Sequence, residues 1–152
     1  MTMWVRVATL DDIPKLLQFE QDLIKVERAF DPDLRPDDVH YYDLQALVSS
    51  TDSELFVAHD GEHLLASGYV QLRDAKPIYA HTRVGYIGFV FVAESARGRG
   101  LAQLILESLC DWTRERGVSH VELGVYTDNA AAIALYEREG FQAISQTMIK
   151  AL

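Results

Sequence analysis

A single cysteine, Cys110, stands in 152 residues. It excludes an internal disulfide and fits a reducing, cytoplasmic setting. No apolar run approaches the roughly 20 residues that cross a bilayer. The opening residues, Met1 to Trp4, lack a basic flank followed by an apolar stretch, so no secretory leader is expected. Repeats and low-complexity tracts are absent, no linker is long enough to divide the chain, and one domain over residues 1–152 is expected. Basic residues are scarce, with 14 Lys and Arg against 23 Asp and Glu and a net charge of −9. Such a surface repels nucleic acid and anionic membranes, and neither is expected as a partner. His40, His59, His63 and His120 show no metal-ligand spacing, so no metal is expected.

What is present is ordinary for a globular protein, 49% hydrophobic and 24% charged, and long enough for a sizeable core. The acidity is uneven: the charge balance is −8 through Asp60 and −1 over the remainder. A short strand is expected at 4–8, then a helix over 11–28 opened by the Thr9/Asp12 capping pair and Pro14. Pro32 and Pro36 make 31–36 a loop, and a second helix is expected at 37–48. Strands at 54–59 and 64–72 flank the hairpin signal Asp60-Gly61. Residues 84–92, dense in Val, Ile and Phe, suit a central strand. The helix after Gly100 carries Leu101, Ile105, Leu109 and Trp112 on one side and is capped by Gly117. Cys110 lies within it and reads as a small hydrophobe rather than a nucleophile. A strand at 120–126, a helix begun by Asp128-Asn129 and a last strand at 141–149 complete the order β-α-α-β-β-β-α-β-α-β. This is an α/β chain with a mixed sheet and helices on both faces.

The most informative stretch is Arg97-Gly98-Arg99-Gly100-Leu101-Ala102, between the apolar strand and the helix. The first amides of a helix have no internal partners, and the macrodipole adds about half a positive charge there. Gly98 and Gly100 allow close backbone approach, and Arg97 and Arg99 add charge suited to phosphate. A phosphate-bearing cofactor is therefore expected. The stretch is not a P-loop, since no Gly-x-x-x-x-Gly-Lys-Ser/Thr run exists. Gln103 stands where a dinucleotide fingerprint needs a third small residue. Nucleic-acid binding through Arg97 and Arg99 would want a basic surface with interleaved aromatics, and residues 93–111 contain no aromatic.

Two motifs together resemble the GNAT superfamily of N-acetyltransferases. The family pattern Gln/Arg-x-x-Gly-x-Gly/Ala is met by Arg97, Gly100 and Ala102. The pattern Asn-x-x-Ala-x-x-Leu-Tyr-x-x-x-Gly-Phe is met by Asn129, Ala132, Leu135, Tyr136, Gly140 and Phe141. The resemblance implies a GNAT-like fold and acetyl-CoA as co-substrate. The amides of Arg97, Gly98, Arg99, Gly100, Leu101 and Ala102 would hold the pyrophosphate. The main chain of Val90, Phe91 and Val92 would pair with pantetheine, in a slot between strands 84–92 and 120–126. An amide near Phe91 or Val92 would face the developing oxyanion. Asn129 would bond the pantetheine arm, a role compatible with helix capping. Tyr136 would be the acid that protonates the leaving thiolate.

The general base is left open. Strand 84–92 lacks the glutamate some relatives carry there. Ribosomal-protein N-terminal acetyltransferases carry one at the position of Gly124. Glu122, Tyr86 and His81 remain as candidates. Family members build the acceptor pocket largely from the first two helices, where this chain has Glu20, Asp22, Glu27, Asp31, Asp33, Asp37 and Asp38. A cationic amine, on a small molecule or a protein, is the expected acceptor. The alternative is an acyl-CoA-binding module without turnover. A homodimer is one expected use of the strand edges near the C-terminal end.

Overall fold

The computed structural model describes residues 2–36 and 39–152. Five strands form one sheet in chain order: β1 (Trp4–Val7), β2 (Ser53–His59), β3 (Leu64–Asp74), β4 (Arg83–Val92) and β5 (Val121–Leu123). Neighbours from β1 to β4 are antiparallel, whereas β4 and β5 are parallel. A parallel pair needs a crossover connection, and α3 (Leu101–Glu115) supplies it. The other helices are α1 (Ile13–Glu27), α2 (Leu44–Ser49) and α4 (Ala130–Arg138). The mixed sheet and the element order agree with the sequence reading through α4.

The sheet separates two apolar clusters. On one side Val70 and Ile87 pack with Ile105, Leu106 and Leu109 of α3. On the other, Leu55, Val57 and Phe91 pack with Leu16 and Phe19 of α1 and Leu44 and Leu47 of α2. A Cβ on Gly68 would lie 2.5 Å from Ile105 Cγ2, so a glycine in β3 is what lets α3 lie close to the sheet. The entry to α1 is fixed as its sequence predicts. Thr9 N–H donates to Asp12 Oδ2 at 2.8 Å, and Arg6 grips the same carboxylate at 2.7 and 3.0 Å. The Arg6 hydrogen bonds hold the Asp12 carboxyl below its usual range.

The second helix is shorter than the expected 37–48, and Asp37 and Asp38 lie outside the described residues. The cause is Glu20, which is fully buried on α1. Its Oε2 accepts from the amides of Tyr41 and Tyr42 at 2.9 and 2.8 Å, and its Oε1 lies 3.1 Å from His40 Nδ1. Amides so engaged cannot serve an α-helix, and α2 begins only where Asp43 caps the Ala46 amide at 3.1 Å. Glu20 is therefore an internal clasp and not an acceptor-facing acid. Glu20→Ala would strand two amides and is expected to cost about 2–4 kcal/mol. Urea denaturation measures this, and an unchanged midpoint would contradict the clasp.

The C-terminal end departs from expectation. Residues 141–149 form no strand: the Phe141 amide donates to the Tyr136 carbonyl at 2.9 Å, nothing among the described residues pairs with the backbone of 142–149, and positions 142–152 are exposed. Likewise β5 covers three residues rather than 120–126.

Candidate functional site

A bulge in β4 creates the site. Ser67 pairs with Phe91 and Tyr69 with Gly88, so Phe89 and Val90 together oppose Gly68. Phe89 takes a left-handed φ of 56°, rare for a residue with a side chain. The Ser67 hydroxyl donates to its carbonyl at 2.9 Å and pins the irregularity. Pairing with β5 stops at Ile87–Leu123. From Gly88 to Val92, β4 has no strand neighbour on that side among the described residues, which leaves a gap where the slot is expected.

The three slot residues do not act alike. The Ala93 amide donates to Leu65 of β3 at 2.8 Å. By antiparallel alternation Phe91 also turns its main chain to β3, while Val92 and Val90 turn theirs toward the gap. Accordingly, the Val92 carbonyl is free of β3 and accepts from Arg97 Nε at 3.3 Å. The Phe91 ring is buried, 5.0 Å from that of Phe19.

Beyond the slot lies the glycine turn. Gly98 and Gly100 have φ of 79° and 75°, a conformation that other residues enter only with strain. A Cβ at either would meet nothing within 4 Å. Among the described residues, none accepts a hydrogen bond from the amides of 98–103. These groups border a cleft of about 230 Å³ that also includes Val92, Leu135 and Arg138. Unpartnered amides at the head of α3, with open space before them, fit a diphosphate. Arg99 folds back on the Ser95 carbonyl at 3.3 Å, so Arg138 of α4 is a further cation at the cleft. Its spacing three residues after Leu135 on one helix face was the available sequence signal.

The helix α4 starts at Asn129, whose side chain accepts from the Ala132 amide at 3.2 Å. Its capping role is thus observed. Tyr136 is half-buried, its ring 5.8 Å from Phe141, and among the described residues none accepts a hydrogen bond from its hydroxyl. Burial, and next the charge of Glu27, push this phenol up to about 12.

Glu27 ends α1, on the part of the chain where the sequence places the candidate acceptor acids. Its charge reaches the phenols of Tyr41, Tyr42, Tyr126 and Tyr136, and with burial raises each of them. Burial, and then Asp31, push the Glu27 carboxyl itself above its usual value. The Tyr126 hydroxyl donates to Asp31 Oδ2 at 2.9 Å, and its ring stacks on Phe30 at 6.2 Å. These contacts hold the end of α1 against the loop that leads into α4. No sequence spacing relates residue 27 to residues 126 and 136; only the fold brings them together.

Other candidates fall elsewhere. His81 stacks on His120 at 3.9 Å, at the opposite end of β4 from Val92. Glu122 is exposed, in register with Tyr86. Arg73 covers the Tyr86 ring at 4.0 Å, and the Tyr86 hydroxyl is 3.8 Å from where a side chain at Gly124 would begin. Burial raises the Cys110 thiol, which keeps it un-ionised. Among the described residues no group of three His, Cys, Asp or Glu could hold a metal, and no helix is long and apolar enough to cross a membrane.

The model of the acetyltransferase (GNAT) family matches residues 18–141. The chain belongs to this family. This GNAT chain is 38% identical over 95 residues to a mycothiol acetyltransferase from Beutenbergia cavernae, covering 61% of this chain and 30% of that protein. It spans about a third of the length of these curated relatives. A crystallised variant of the BH1408 protein from Bacillus halodurans has the same fold, with a TM-score of 0.88, 25% identity and coverage of 98% of this chain and 99% of that one. A predicted acetyltransferase from Clostridium acetobutylicum, crystallised with acetyl-CoA, matches with a TM-score of 0.77 at 19% identity, over 99% and 96% of the two chains. The fold of this GNAT chain is thus one that accommodates acetyl-CoA in a solved relative.

Proposed function

We propose that this GNAT chain transfers the acetyl group of acetyl-CoA to a cationic primary amine. The observation that carries the proposal is the acidic end of α1, where the Tyr126 hydroxyl donates to Asp31 Oδ2 at 2.9 Å and the charge of Glu27 reaches the phenols of Tyr41, Tyr42, Tyr126 and Tyr136. Protonated amines are attracted by a carboxylate and by the faces of aromatic rings. Only the neutral amine has a lone pair for attack, so its proton must leave. The Glu27 carboxylate, raised by burial, accepts that proton more readily than an exposed one would.

On the donor side, acetyl-CoA supplies an activated acyl thioester when bound. The amides of Arg97, Gly98, Arg99, Gly100, Leu101 and Ala102 and the Arg138 cation would hold its diphosphate. The main chain of Val90 and Val92 would align the pantetheine arm, with Phe91 buried behind them, and Asn129 at the start of α4 would bond that arm. Tyr136 stays protonated throughout the neutral range and is available to donate to the departing sulfur.

Thiol release measured over a panel of amines tests the acceptor side. Polycationic amines are expected to exceed anionic amino acids in kcat/KM, and Glu27→Gln is expected to lower kcat/KM for the best amine at least ~10-fold. The wild-type profile should fall with acidification as the raised Glu27 carboxyl is protonated, and the variant should lack that fall. Preference for anionic acceptors, or an unchanged variant, would refute the role of Glu27.

A further inference from the structure

We propose that Arg73 is an anion-binding residue at the outer end of the acceptor site, so that the preferred acceptor carries a carboxylate or phosphate about 8 Å from its amine nitrogen. The inference rests on the acetyl-transfer reading and extends it to the far end of the acceptor. Its basis is the way Arg73 is held. Strand alternation puts Arg73 on the same face of β3 as Tyr69, the face covered by α1 and α2. Its guanidinium carbon stands 4.0 Å from the centre of the Tyr86 ring, and its Nε donates to Gln71 Oε1 at 2.9 Å. Gln71 and Tyr86 are themselves cross-strand partners. Tyr69 completes the hold. Burial pushes its phenol up to about 12, and Arg73 draws it back through charge and a hydrogen bond.

An exposed arginine gives up much rotamer freedom when it is fixed in this way. Acids outnumber bases 23 to 14 in the chain, so a carboxylate partner would be easy to supply. Yet among the described residues no Asp or Glu forms an ion pair with Arg73, and that includes Glu122, in register with Tyr86. Neutral groups hold the guanidinium by its Nε edge and by one face. Anchored so, its terminal nitrogens are set for the paired hydrogen bonds that grip a carboxylate or a phosphate. The Tyr69 hydroxyl beside them is a further donor.

The position is tied to the slot. Tyr69 pairs with Gly88, and a Cβ on Gly88 would lie 2.6 Å from the Tyr69 hydroxyl oxygen. A glycine there lets the phenol lie across β4 just past Ile87, where pairing with β5 ends. Tyr86 is about 7 Å along the strand from Gly88, and the guanidinium stands 4.0 Å off its ring. An amine at the mouth of the slot and an acid on Arg73 are thus about 8 Å apart. An acid next to the nitrogen falls short of Arg73, so spacing and not net charge decides.

Calorimetric titration in the presence of CoA, with ε-aminocaproate and with n-hexylamine, tests the assignment. The two share a primary amine on a similar chain, and only the first ends in a carboxylate. ε-Aminocaproate is expected to bind at least about 5-fold tighter, solvent exposure keeping the gain below that of a buried pair. In Arg73→Gln the ratio of the two affinities is expected to fall to near unity. Aminobutyl phosphate forms a second arm, and the acid whose binding depends more on Arg73 names the anion. Failure of both acids to bind, wild-type affinities equal to that of n-hexylamine, or a preference that survives Arg73→Gln would each overturn the proposal. Thiol release with the same amines separates the two readings. Acetylation without an Arg73-dependent preference would remove the anion subsite and leave acetyl transfer standing. An Arg73-dependent preference without thiol release would do the reverse.

Discussion

Gly100→Trp is expected to weaken coenzyme binding by about 100-fold or more while leaving a folded protein. The cradle amides have no acceptor within the chain, and each charge-assisted bond to a phosphate contributes roughly 1.5–3 kcal/mol. Losing two of them alone exceeds the ~2.7 kcal/mol that a 100-fold change represents. A Cβ at residue 100 meets nothing within 4 Å, so the indole would enter the space before the amides instead of the core. The φ of 75° adds strain of about 1–2 kcal/mol for a non-glycine residue, a tolerable loss. Calorimetric titration with CoA measures the affinity, and thermal melting confirms folding. Wild-type affinity in this variant would contradict the cradle.

Tyr136→Phe is expected to lower kcat about 100-fold with coenzyme affinity within about 2-fold of wild type. The substitution removes one oxygen and keeps the ring that packs on Phe141. Because the hydroxyl has no acceptor among the described residues, its loss leaves no stranded partner. With the phenol raised to about 12, the active protonated form persists through the usual assay range. A falling alkaline limb near pH 8–9 that vanished in Tyr136→Phe would contradict the assigned ionisation. Equal kcat in the two proteins would remove Tyr136 from the chemistry.

Much of this site is written locally and could be read from the chain. The glycine turn is legible because left-handed backbone and an open helix start both depend on adjacent residues. Asn129 and Tyr136 are legible because helix spacing fixes their relation. The slot was visible as an implication of the resemblance, but its cause, the bulge at Phe89, has no sequence mark. Bulges depend on a mismatch in pairing with another strand, here opposite Gly68. The second helix was overcalled because Glu20, some twenty residues away, takes the amides of Tyr41 and Tyr42. The final strand was expected from composition, yet whether a strand pairs depends on which edge is within reach. Glu27 was one acid among seven until the fold brought its charge within electrostatic reach of four phenols.

The enclosure of Glu27 also bears on stability. Its folded pKa lies above the unfolded value, so the stability it contributes is present at low pH and is lost as pH rises through the raised value. Near neutrality the ionised carboxylate therefore works against folding. The same Glu27→Gln protein should melt at a higher temperature than wild type at pH 7, and the two should converge in acid. Activity and stability then move in opposite directions, as expected of a functional group.

The bulge at Phe89 has a wider consequence. A sheet that zipped shut between β4 and β5 would gain hydrogen bonds, and a glycine at 89 would relieve the left-handed backbone. The chain retains the costlier arrangement, and the Ser67 hydroxyl latches it. Zipping the two strands together would steady the sheet and close the slot in one step, so hardening that keeps the gap open has to come from elsewhere in the molecule.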